Sequence, residues 1–204
     1  MDLDQFLHIM EKIGFDLIKY YVDVYYRSET GLSPLNNIVN NREMEITYSG
    51  CWYGGLFFEW LFPQPSFLTN NLKPHRIIHG YFLSDQECHY FLVITTDVEA
   101  VILNTYGGIT DLIITTLRLN EANMLLEQLK SNEVSVIELL FGINPSYSEM
   151  IIEFIELRES IYQLPTKEEI GEKIDELISK TYTIEDKIEL NRLKMILFSY
   201  NISE

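Results

Sequence analysis

From Glu43 to Leu119 the chain breaks into short segments rich in β-branched and aromatic residues, separated by turn formers, and this pattern limits the fold most. Each segment matches a strand, and the connections are too short for crossover helices. The expected arrangement is therefore an antiparallel meander. Strands are expected at 44–49, 53–62, 76–83, 89–96, 98–105 and 110–117. Ser84-Asp85-Gln86-Glu87 and Tyr106-Gly107-Gly108 suit hairpin turns, the second because glycine adopts positive φ. Pro63, Pro65 and Pro74 exclude a central strand in the longest connection, since proline cannot donate to a ladder.

The period differs on either side. From Leu3 to Tyr26 apolar residues recur every three or four positions, which predicts an amphipathic helix with Asp2 and Gln5 as its capping box and an interruption at Gly14. Its tyrosine-rich end, Tyr20, Tyr21, Tyr25 and Tyr26, suits core packing or a contact surface. Residues 28–41 have the composition of a loop. A helix is expected at 121–131 with Asn120 as N-cap, and the apolar run 134–141 fits a strand or a short helix.

From Ser146 to Ser199 three helices are expected. Ser146 with Glu149 and Thr166 with Glu169 mark two helix starts, and apolar stripes follow, the last at Ile184, Ile188, Leu193 and Ile196. The fold class is thus α+β: an antiparallel meander of about five to seven strands, an N-terminal helix and a C-terminal set of three helices. Residues 1–145 form the helix-plus-sheet domain, and residues 146–204 a helical tail packed on the sheet rather than independent.

Composition suits a packed core, with 47% apolar and 23% charged residues. No apolar run is long enough to cross a bilayer, and the start Met1-Asp2-Leu3-Asp4 lacks the basic residue and apolar stretch of an export signal. A cytoplasmic location is expected, with Cys51 and Cys88 as buried thiols.

Chemistry-bearing motifs are sparse: no P-loop, nucleophile elbow, dinucleotide fingerprint, zincin helix or C-x-x-C occurs. His75 and His79 have a ligand spacing only on a helix; on a strand they stand about 13 Å apart. The carboxylate pairs Glu43/Glu45, Asp85/Glu87 and Asp97/Glu99 share strand faces but lack a supporting lysine, so no metal, cofactor or catalytic residue is expected. Trp52-Tyr53-Gly54-Gly55 joins aromatics to two glycines, which suits a bulge in a twisted strand or, as the alternative, a ligand site in a small enzyme or binding domain.

Charge is the outlier. Lys plus Arg number 15 against 31 Asp plus Glu, a net −16, which opposes direct nucleic-acid or anionic-membrane binding. In the tail, acids alternate with lysines as on a solvated helix surface. From Ile77 to Leu117 no Lys or Arg occurs, while Asp85, Glu87, Asp97, Glu99 and Asp111 do. These five are the expected contacts for a basic protein partner. The leading reading is a non-enzymatic acidic protein that binds and inhibits such a partner, as a toxin antidote or an inhibitor of a nucleic-acid-acting defence complex. A subunit of a homo- or hetero-oligomer is a further alternative.

Overall fold

The computed structural model describes residues 1–30, 55–62, 74–83, 88–106, 111–130 and 153–199. The N-terminal helix starts where the sequence places it. Asp2 accepts from the Gln5 N–H at 2.8 Å, and the Gln5 side chain accepts from the Asp2 N–H. Helix α1 (Leu3–Ile9) passes through a π turn (Met10–Gly14) into α2 (Phe15–Thr30), so the expected interruption at Gly14 is a π bulge rather than a break. The missing side chain has a use: a Cβ on Gly14 would lie 2.9 Å from Leu112 Cδ2, so glycine lets the bulge rest directly on the sheet.

The expected strand at 53–62 is corrected. Residues 55–61 are helical (α3, over the described residues), so Gly55 lies in a helix rather than in a strand bulge. The period shows why. Phe57, Phe58, Leu61 and Phe62 are buried while Glu59 is exposed, a spacing of one, three and one that fits a helix face and not alternation. Aromatic β-propensity, which reflects packing on a sheet surface, yielded to the tertiary demand for an aromatic plug.

The meander is as expected, with ends shifted by one residue: β1 (His75–Leu83), β2 (Cys88–Thr95), β3 (Glu99–Tyr106) and β4 (Asp111–Arg118) pair antiparallel in sequence. Thr96 to Glu99 forms the β2–β3 turn, closed by the Thr96 N–H donating to Glu99 O, so Val98 belongs to the turn and not to a strand. Next comes α4 (Leu119–Lys130). Asn120, the expected N-cap, lies inside it; the helix start is served by Glu121, whose carboxylate accepts from the Arg118 N–H.

The tail departs further. Its first expected helix is, over the described part, a strand, β5 (Glu153–Tyr162), which pairs antiparallel with the open edge of β1 and has a bulge opposite Tyr81/Phe82. The sheet order is β4-β3-β2-β1-β5. Both readings suit Glu153 to Tyr162 locally; the unpaired edge of β1 selects the strand. The later helices stand where expected, α5 (Lys167–Lys180) with its Thr166/Glu169 capping box and α6 (Ile184–Ser199).

One face of the sheet presents Ile77, Tyr90, Leu92, Ile94, Val101 and Leu103 to the main core, which also takes in α1 to α3 and the inner faces of α5 and α6. On the other face Ile78, Phe91, Val93, Ala100 and Ile102 are buried, and α4 packs on β3 and β4. Helices α5 and α6 pack on each other and on α2. The expected α6 stripe is corrected: Leu190, Leu193 and Leu197 are buried, whereas Ile184 and Ile188 are exposed. Expected features at 31–54, 84–87, 107–108, 134–141 and 146–149, Cys51 among them, lie outside the described residues.

Candidate functional site

An antiparallel meander sends alternate turns to opposite ends of the sheet, and this divides the five acidic candidates. Asp97 and Glu99 sit at the β2–β3 turn. Asp97 is an exposed turn residue, and Thr96 Oγ1 accepts from the N–H groups of Val98 and Glu99, which fixes the turn. Asp97 therefore does not share a strand face with Glu99, and the expected alignment of this pair fails. Glu99 stands opposite Arg118 on β4, and Arg76 opposes Thr95 at the same end. The stretch without Lys or Arg is thus bounded by two arginines that the fold returns to this end.

An open cleft of ≈ 620 Å³ lies here, lined by His75, Arg76, Thr95, Asp97, Leu119 and Asn123 among others. Its charge is mixed, and its threonines are committed: Thr95 Oγ1 donates to Arg76 O and Thr96 Oγ1 to Glu99 O. His79 lies away from the cleft, buried, with Nδ1 2.7 Å from the Tyr90 hydroxyl. The two histidines stay apart as the strand spacing requires.

The opposite end differs. Asp111 opens β4 opposite Tyr106, and Glu153 opens β5 opposite Leu83. Asp85 and Glu87 lie outside the described residues. Glu156, opposite Tyr81, follows nearby on β5. The last two strand positions at this end carry no Lys or Arg on any of the five strands. From β4 to β5 is four strand spacings, about 19 Å, a width suited to a macromolecular surface rather than to one ion. Among the described residues no group of three His, Cys, Asp or Glu side chains is placed to hold a metal.

No protein-family model, curated protein or solved structure matches the chain. Function must therefore be argued from the residues alone.

Of the residues expected for a ligand site, Trp52, Tyr53 and Gly54 lie outside the described residues, and Gly55 is buried within α3. Downstream, Trp60 enters a cluster that the sequence did not reveal. The Glu176 carboxylate accepts from Tyr25 Oη (2.8 Å), Trp60 Nε1 (3.0 Å) and Lys180 Nζ, while Lys173 Nζ stands 3.7 Å away and 5.1 Å above the Trp60 ring. Tyr21, Tyr25, Phe57 and Trp60 pack ring to ring beneath it. A carboxylate engaged by three donors ties α2, α3 and α5 together. Tyr25 and Trp60 are 151 and 116 residues from Glu176, beyond any local sequence signal.

Burial pushes the Glu176 carboxyl up, but hydrogen bonds from Lys180, Tyr25 and Trp60 outweigh it and hold the group at about 2, against an ordinary 4.5. A depressed folded-state pKa contributes stability that is present above pH 4.5 and lost as pH falls toward 2. Glu176→Gln is expected to cost about 1 kcal/mol at neutral pH, a value reduced for the site's partial exposure. The difference from wild type is expected to vanish near pH 2, which urea unfolding from pH 7 to pH 2 measures.

Proposed function

We propose that this protein is a non-enzymatic interaction protein whose acidic sheet end binds and inhibits a basic protein, as an antidote to a toxin or an inhibitor of a nucleic-acid-acting complex would. The observation that carries the reading is the register. It sets Asp111 and Glu153 at one end of the sheet and leaves Asp97 and Glu99 at the end that holds Arg76 and Arg118, while Asp85 and Glu87 belong to the same stretch of sequence without Lys or Arg as Asp111. Carboxylates at strand ends attract a basic surface, speed its encounter and repel phosphate competitors.

The test separates the two ends. The full chain, the variant D85N/E87Q/D111N/E153Q and the variant D97N/E99Q are used to capture partners from the source cell, in low salt and in about 0.5 M salt. The expected result is a basic protein held by wild type and by D97N/E99Q in low salt, released by high salt, and bound at least about tenfold more weakly by the four-site variant. A partner retained equally at both salt concentrations, or equally by both variants, sinks the reading.

A further inference from the structure

Helix α6 is apolar on two opposite sides. Leu190, Leu193 and Leu197 face the core, while on the outer side Ile184, Ile188, Met195 and Phe198 are 72%, 60%, 74% and 43% exposed. With Asn191, the outer residues recur at intervals of four, three, four and three, the seam spacing of a coiled coil. We infer that this face is the seam of a homodimer, in which two copies pair their α6 helices antiparallel.

The choice of a second copy rests on three observations. First, the seam is self-complementary. With Ile184 facing Met195 of the partner subunit, Ile188 faces Asn191 of the partner subunit, and the two-fold axis repeats both layers. Phe198, whose ring rests on Gly171 of its own α5, closes the end of the seam. Second, charge favours the antiparallel sense. Glu185 lies across from Arg192 of the partner subunit, twice over by symmetry, and joins the Glu189 and Asp16 carboxylates that Arg192 already meets in its own chain, whereas a parallel pair would set Lys187 against Arg192 of the partner subunit. Lys187 meets Lys194 of the partner subunit in the antiparallel pair, but Lys194 is already held by Asp175. Helix α6 carries three acids and three bases, so it is neutral in a chain of net −16, and a second copy meets least repulsion there. Third, the area is of the right order. The four outer side chains leave roughly 500 Å² exposed per copy, so their complete burial in a pair would cover about 1,000 Å², the lower limit for a specific interface. The helix is already ordered by its packing on α2 and α5, so little conformational entropy opposes the pairing. A dissociation constant of micromolar order is expected.

Sedimentation of the full chain over about 1–200 µM tests this. Wild type is expected to shift from one chain to two with rising concentration. Ile188→Lys is expected to weaken pairing more than about 100-fold without moving the melting temperature of the single chain, measured at concentrations where wild type is also unpaired, since Ile188 faces outward in the single chain. The orientation is read separately: Glu185→Arg weakens pairing, and adding Arg192→Glu restores it. Wild type that stays one chain throughout, or an I188K variant that still pairs, overturns the dimer. An E185R variant that pairs as wild type does overturns the antiparallel register. The variant D85N/E87Q/D111N/E153Q is expected to pair like wild type, which keeps this result independent of the acidic sheet end.

Discussion

Gly80→Val is expected to remove a large share of the protein's folding stability. Gly80 lies in β1 directly opposite Phe91, and a Cβ there would stand 2.1 Å from Phe91 Cζ and 2.5 and 2.6 Å from its Cε atoms. The ring lies flat across the glycine, and Phe91 is itself buried with Ile78 and Val93 on that face, so it has no open space to enter. A side chain at position 80 must expel the ring or separate β1 from β2. Overpacking of a tight core costs about 1–3 kcal/mol, and valine, which also crowds the backbone, is expected to lie at or above the top of that range. Against a typical stability of about 5–15 kcal/mol the native state becomes marginal. The urea midpoint is the measurement. Gly80→Ala is expected to cost about 2 kcal/mol, and adding Phe91→Ala to it is expected to cost less than the sum of the single changes, because the second change removes the obstacle. Strict additivity of the two would refute the ring as the cause.

Phe58→Ala is the second large effect, expected at about 3–5 kcal/mol. Phe58 is fully buried on α3, stacked on Tyr90 of β2 at 5.5 Å and 19°, beside Phe62 at 6.5 Å, with the edge of Phe57 at 5.1 Å. These rings hold α3 against the sheet. Removing the Phe58 ring therefore leaves a cavity and also frees the element that brings Trp60 to Glu176. Phe58→Leu, which keeps most of the volume, is expected to cost about 1.5 kcal/mol. Denaturant midpoints give both values, and in a Trp52→Phe background, where Trp60 is the one remaining tryptophan, fluorescence reports α3 separately: a shifted native emission in Phe58→Ala is expected, and unchanged emission would show that α3 does not depend on this ring.

Both sites show where sequence reasoning works and where it ends. The strands β1 to β4 are legible because each has its own alternating or fully apolar pattern and its own turn. The caps at Asp2 and Thr166 are legible because a capping box spans only three residues. Residues 53–62 mislead because aromatics favour strands on average, while the spacing of Phe57, Phe58, Leu61 and Phe62 already fitted a helix. Glu153 to Tyr162 misleads for another reason: its pattern suits either element, and the deciding partner, β1, lies some seventy residues earlier.

The acidic candidates divide in the same way. That the stretch between Arg76 and Arg118 carries carboxylates and no cation is a fact of the sequence alone. Composition and local period likewise determined the α+β class, the order of β1 to β4 and the helix starts at Asp2 and Thr166, because those depend on neighbours a few residues away. Only the tertiary structure decided which carboxylates share an end of the sheet. Antiparallel pairing returns Arg76 and Arg118 to the end of Asp97 and Glu99, sets Glu153 at the same end as Asp111, and turns half of an apolar helix outward. Strand register and helix docking are set by contacts between residues far apart in the chain, so no local stretch of sequence contains them.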